Sequence, residues 1–382
     1  MQTQGISRRG LLAGAAAVGA TATAIGSGGP ARARSIARGL QWRGVGYEIT
    51  DGGYPATGWN ANRMRHDIRA IRRDLHANSV TVFGDGVERL LATATEAAER
   101  GLRVWLQPRL ADRPHSEILD HLAETARGAE RLRREGASVN LSVGCEFVLF
   151  VPGIVPGDDV FERIENLQSG NFDPERMQRR LAAFIGRSAA MGRSTFHGPI
   201  SYGAAEGEVV DWSLFDIVSV NYYAFHQHRS AYVRQLRRYG RWGKPVMISE
   251  FGSCTYRGAP KDGGMGWAIV DYDGTEETIK PGYVRSERTQ ARYVDELIGI
   301  FSELGLYGAS VYSFAVPDAP HRPRRKYDLD IASYGLVKPR WGDRHRPTAD
   351  WTWEPKEAFY AVARRYGREE RRPDFGSNPS NR

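Results

Sequence analysis

The stretch Lys244-Pro245-Val246-Met247-Ile248-Ser249-Glu250-Phe251-Gly252 is a short apolar run held between a proline and a glycine. Such a run reads as a buried β-strand. Its end carries a carboxylate, Glu250, which is costly in apolar surroundings unless it is used or paired. A second run closes the same way: Asn140-Leu141-Ser142-Val143-Gly144-Cys145-Glu146-Phe147. Outward from these two, further strand signals fall at 43–48, 79–83, 102–107, 199–203, 216–223 and 309–314, which makes eight strands.

Helical patterns lie between them. Residues 62–76 carry Met64, Ile68, Ile71 and Leu75 at spacings of three and four, and 86–100, 116–135, 173–191, 231–239, 286–304 and 354–366 read alike. Asp173 followed by Pro174 is a helix start. Repeated strand–helix alternation argues for parallel strands with helices outside. Eight units over 382 residues fit a (β/α)8 barrel of the α/β class. A doubly wound open sheet is the other arrangement, but no Gly-rich phosphate loop follows the first strand. Long loops follow strand four (148–171), strand seven (252–285) and strand eight (315–353). In a barrel all three lie on the C-terminal face, where active sites are built.

The N-terminus is different in kind. No acidic residue precedes Glu48, and Ser7-Arg8-Arg9-Gly10-Leu11-Leu12 leads into an Ala/Gly-rich apolar stretch ending near Ala31-Arg32-Ala33. A basic start, an apolar middle and a small-residue cut describe a signal peptide over 1–33. The arginine pair resembles a twin-arginine export address. The expected domains are therefore this signal, a barrel over 34–367 and a disordered tail over 368–382. No other apolar run reaches 18 residues, so no membrane span is expected in the mature chain. The formal charge is +8, but the basic residues are dispersed and no nucleic-acid motif accompanies them. Two cysteines, Cys145 and Cys254, are too few for a disulfide framework, and a single bridge between them is the one option.

Two carboxylates facing one cleft are what retaining glycoside hydrolysis requires. Together with the eight-unit barrel, the strand-four and strand-seven glutamates resemble clan A glycoside hydrolases, the retaining (β/α)8 superfamily. The 244–252 segment is similar to that clan's nucleophile strand. Val218-Ser219-Val220-Asn221-Tyr222-Tyr223 is similar to its sixth strand, and Tyr334-Gly335-Leu336-Val337 with the 353–360 segment to its closing element. Within the clan, endo-mannanase-like members are loosely the nearest in resemblance. The resemblance implies Glu250 as nucleophile, Glu146 as acid/base and Tyr223 as the hydroxyl that bonds the nucleophile. It implies a carbohydrate substrate and no cofactor. Two departures stand out: Cys145 occupies the place where the clan has Asn beside the acid/base, and 312–314 holds no Trp.

Strand ends and loops supply the remaining candidates. Asp85, Gln107, Arg109, Asn221 and His226 are placed to bind sugar hydroxyls, and Trp267, with Trp59 and Trp341, to stack on sugar rings. His226-Gln227-His228 has metal-ligand spacing, yet no His lies on the first strand, so no metal is assigned. Two other functions are kept open: a carbohydrate-binding protein on a hydrolase-like barrel, and a metal-dependent hydrolase built on the His226/His228 pair.

Overall fold

The computed structural model describes residues 39–341 and 351–370. The expected signal at 1–33 and residues 371–382 of the expected tail lie outside them. Eight parallel strands form one sheet: β1 (Trp42–Glu48), β2 (Ser79–Gly84), β3 (Arg103–Pro108), β4 (Val139–Cys145), β5 (Ile200–Gly203), β6 (Val218–Asn221), β7 (Val246–Phe251) and β8 (Gly308–Val311). Their order is β5-β4-β3-β2-β1-β8-β7-β6, which curls the sheet so that its edges, β5 and β6, face each other. The seam is narrow. A single bridge pairs Ala204 with Val220, supported by the Ala204 amide donating to the Ser219 carbonyl (3.1 Å) and the Asn221 amide donating to the Ala204 carbonyl (2.8 Å). The result is a nearly closed (β/α)8 barrel.

Helices Ala61–Arg73, Val87–Glu99, His115–Arg134, Pro174–Thr195, Arg229–Arg237, Glu287–Glu303 and Glu357–Glu370 occupy the expected positions. None among the described residues is long and apolar enough to cross a membrane. Asn60, Asp173 and Ser286 cap three of these helices through their side chains, so the local starts are set by residues with strong capping chemistry.

Side chains at alternate positions along each strand fill the barrel in layers. At the bottom, Trp42 and Trp105 meet edge to face at 5.6 Å, with Ile217 and Met247 beside them. Above them the layer is small and polar: the Thr81 hydroxyl donates to the Ser310 hydroxyl (3.0 Å), which reaches across the space that Gly44 leaves open. A Cβ at Gly44 would lie 2.9 Å from the Ser79 hydroxyl. The residues at the ends of β4 and β7, Glu146 and Glu250 among them, form the top layer.

Three differences from the sequence expectation concern the loops and the cysteines. The loop after β4 contains a helix, Val160–Ser169, capped by Asp159 and stopped by Gly170 in the left-handed conformation. The segment after β8 folds back as an antiparallel hairpin, Val337–Trp341 with Trp351–Pro355. Cys145 and Cys254 are both buried free thiols, so the bridge does not form.

Candidate active site

β4 and β7 deliver the two carboxylates through irregularities. Strict alternation from the inward Met247 would turn Ser249 inward and Glu250 out of the barrel. β7 avoids this with one extra residue relative to both neighbours. Val220 and Asn221 of β6 pair with Ile248 and Glu250, and Ala309 and Val311 of β8 pair with Ile248 and Phe251. Such a bulge re-aims side chains, and here it lets Ser249 and Glu250 both reach the interior. β4 carries a matching shift, with Ser142 and Cys145 opposite Ser201 and Gly203. Glu146 then adopts φ 43° and ψ 51°, a left-handed conformation disfavoured for a residue with a side chain. Its amide is held by the Gly203 carbonyl (2.9 Å), and a helical turn, Phe147–Phe150, follows at once.

The two carboxyl groups are both almost fully buried, Glu146 at 1% and Glu250 at 3% exposure, and their partners differ. Glu250 is ion-paired to Arg109, whose Nη2 lies 2.5 Å from Oε1, and it accepts the Tyr223 hydroxyl at Oε2 (3.1 Å). Glu146 accepts from the Asn221 amide nitrogen at Oε1 (2.9 Å). Burial and, next, the charge of Glu250 raise the Glu146 carboxyl above its ordinary range, against the pull of Asn221 and Arg109. The pair is therefore asymmetric, with one ion-paired carboxylate and one carboxyl biased towards its protonated form.

Cys145 lies between them. Its sulfur receives Arg109 Nη2 (3.3 Å) and the Asn221 amide (3.5 Å), and it sits 3.8 Å from Glu250 Oε1. Burial pushes its thiol well up, which keeps it neutral. Arg109 is held from several sides: Gln107 Oε1 accepts from Nη2 at 2.8 Å, and the guanidinium lies over the Phe83 and Phe150 rings at 4.5 and 5.2 Å. Gln107 and Arg109, expected to bind sugar, are thus organised first around Glu250.

Asn221 and Tyr223 bond Glu146 and Glu250 respectively, and Arg109, with Gln107 on it, bonds Glu250. Asp85 stands at the edge of the mouth, with its carbonyl accepting from the His121 ring (2.8 Å). Three further candidates have other partners. His226 points away from the carboxylates: its ring packs on Tyr232 at 4.7 Å and its Nε2 pairs with Gln235 (2.7 Å). Trp267 is buried, edge-on to Phe161 at 6.0 Å, and so anchors a loop rather than presenting a platform. Trp341 is likewise buried, against Tyr54 at 5.2 Å, whereas Trp59 stays partly exposed. Among the described residues no group of three or more His, Cys, Asp or Glu is gathered as a metal site would be.

Four residues come in unannounced. Tyr312 follows directly on β8. It stacks on Phe83 at 5.7 Å and meets Tyr223 and Tyr334 edge-on. Tyr334 pins the wall opposite by donating to the Gly263 carbonyl (2.5 Å) and accepting the Gly266 amide (3.1 Å). Ser249 Oγ donates to the side-chain Oδ1 of Asn221 (2.7 Å). Glu48, half-buried at the end of β1, is pushed up to about 8 by burial, against the nearby Arg109. The rule that singled out Glu146 and Glu250, a carboxylate ending an apolar strand, would have found Glu48 too.

No protein-family profile matches the chain, and no curated protein does. Solved structures match it in fold. A calcium-binding mutant of β-glucuronidase 2 from Bacteroides uniformis aligns with a TM-score of 0.52 at 13% identity, over 85% of this chain and 34% of the glucuronidase. The chain thus spans about a third of that enzyme's length. β-Glucosidase 1317 aligns with a TM-score of 0.51 at 11% identity, over 87% of this chain and 99% of the glucosidase. At this identity the likeness is one of fold: the chain shares the (β/α)8 barrel of solved glycoside hydrolases, as its resemblance to clan A implied.

Proposed function

We propose that this protein is an exported, retaining glycoside hydrolase acting on a polysaccharide or oligosaccharide. The observation that carries the reading is the asymmetric pair at the ends of β4 and β7: Glu250 bonded by Arg109 and Tyr223, Glu146 raised beside it. The glycosidases that share the barrel support the same class of chemistry.

In the first step Glu250 attacks the anomeric carbon while the bond to the leaving oxygen breaks. Glu146 gives its proton to that oxygen. The Tyr223 hydroxyl and the Arg109 guanidinium orient the attacking carboxylate, and each of its oxygens keeps a lone pair beyond these bonds. Formation of the glycosyl ester removes the charge on Glu250, one of the causes that raised Glu146. Glu146 then acts as base, taking a proton from the water that attacks the anomeric carbon, and Glu250 is released as carboxylate.

The test is intact mass after incubation with activated 2-fluoro-glycosides, β-mannoside and α-arabinofuranoside among them. A stable adduct of one glycosyl unit, absent in Glu250→Ala, is expected. Turnover of an oligosaccharide with inversion at the anomeric carbon would overturn the retaining assignment. Oligosaccharide binding unaffected by Glu250→Gln, without turnover, would make the protein a sugar-binding barrel instead.

A further inference from the structure

The bulge in β7 places Ser249 beside Asn221, and nothing in the chemistry above uses it. Ser249 is 3% exposed, and its hydroxyl lies 2.7 Å from the Asn221 carbonyl oxygen. A serine hydroxyl can bond either end of a carboxamide, whereas a carboxylate only accepts, so the N–H end belongs at Glu146 and the hydroxyl of Ser249 anchors the other end, Oδ1. With Oδ1 taken by Ser249, the Nδ2 end of Asn221 faces Glu146 Oε1 at 2.9 Å and the Cys145 sulfur at 3.5 Å. An N–H turned towards Glu146 stabilises its carboxylate, which is the form that appears when the proton leaves for the glycosidic oxygen. The opposite amide orientation would set a carbonyl oxygen against that developing charge.

We infer that Ser249 is a positioning residue for the acid/base: it fixes the amide of Asn221 so that an N–H donor faces Glu146 as that group loses its proton. The inference rests on the assignment of Glu146 proposed above. Other charged and titratable groups around Glu146 are Glu250 on β7, Arg109 after β3, Glu208 after β5, Cys145 on β4 and Tyr223 after β6. Of these, Glu250 and Glu208 oppose the Glu146 carboxylate and Arg109 favours it, so the Asn221 donor adds to a single nearby cation. Ser249 itself carries no charge, and replacing it changes none of these groups directly.

The experiment has two readouts, and one does not depend on turnover. The protonated Glu146 carboxyl is followed through a pH titration by difference infrared spectroscopy, with Glu146→Gln assigning the band. In Ser249→Ala the titration is expected to move to higher pH, and Ser249→Thr, which keeps the hydroxyl, is expected to restore it. In kinetics, Ser249→Ala should lower kcat for glycosides with poor leaving groups roughly fivefold, as for the loss of one supporting hydrogen bond. It should leave activated glycosides, whose departure needs no proton, almost unchanged. Equal loss on both leaving groups with an unmoved Glu146 titration would overturn the inference, even if Ser249→Ala were less stable to urea. A moved titration in a protein that turns over no glycoside would uphold the positioning and reject the function proposed for Glu146.

Discussion

Glu146 is a side-chain-bearing residue in left-handed backbone, fixed by the Gly203 carbonyl on one side and by a helical turn on the other. Strain of this kind persists where the surroundings over-determine it, and it concentrates at functional sites. Its raised carboxyl gives a signed prediction. In the proposed mechanism Glu146 must be protonated for the first step, so kcat/KM for a glycoside with a poor leaving group should fall on the alkaline side as it ionises. Glu146→Gln should remove that limb and lower kcat/KM by about 10²–10⁴. A pH–rate profile of the two proteins checks it. An alkaline limb that survived in Glu146→Gln would reassign the acid. Tyr223→Phe bears on the other carboxylate. It removes one donor to Glu250 and should slow formation of the glycosyl-enzyme by roughly tenfold, as for a bond to a charged group, measured as the rate of adduct appearance by mass.

The elements around Glu146 are tied together by one buried arginine. Arg163, on the helix missed in the loop after β4, donates to the Leu149 carbonyl (2.6 Å) and the Gly157 carbonyl (3.0 Å) and pairs with Asp112 from the loop after β3. It is fully buried, so Arg163→Ala leaves Asp112 and two carbonyls without their cation. A loss of roughly 3–5 kcal/mol of stability is expected, read from the urea midpoint, with activity falling further than folding alone explains because the Phe147–Phe150 turn is released. Gly144→Ala acts on the same turn: the added Cβ would lie 2.2 Å from the Phe147 ring, forcing that ring and Glu146 to shift.

At this scale the legibility of the sequence is also plain. The eight strands were readable because buried parallel strands are runs of apolar residues, and the helices because their spacing and caps are local. The 160–169 helix had the same signals, with Asp159 before it, Val160, Ile164 and Leu167 on one face, and Gly170 after it, but it sits where a loop was expected. The bulge in β7 had no local signal, because pairing register depends on two neighbouring strands. For that reason Ser249 went unnoticed while Glu250 beside it did not. The packing of Trp267 and of His226 was not legible for a related cause: residues in long loops point wherever tertiary packing sends them, and loop position says little about it.

For the whole molecule, several cleft carboxyls are shifted the same way. Glu48 is pushed up to about 8 and Glu208 up to about 7, each chiefly by burial, and Glu146 is raised as well. Each binds more protons folded than unfolded at pH values between the unfolded carboxyl range, about 4.3, and its folded value. Stability should therefore fall as pH rises from about 5 through 8. Thermal melts across that range check it, and Glu48→Gln and Glu208→Gln should each flatten the slope. Melts that rose with pH would show that these carboxyls ionise freely in the folded state.

The narrow seam between β5 and β6 gives the barrel a line along which it can breathe. Both strands are four residues long; one bridge with two amide bonds joins their upper ends, and below it Ile200 and Ser201 are tied only to Asp216 and Ile217, the residues just before β6. The seam runs through the site itself, because Glu146 hangs from Gly203 on one bank and Asn221 from Ala204 across it. When the seam unzips, Glu146 and the Asn221 side chain that faces it part company while the other strand pairs stay closed. Deuterium should enter at the backbone amides of Ala204 and Asn221 ahead of those in β1 to β3, and on warming the proposed activity should be lost before the helices melt.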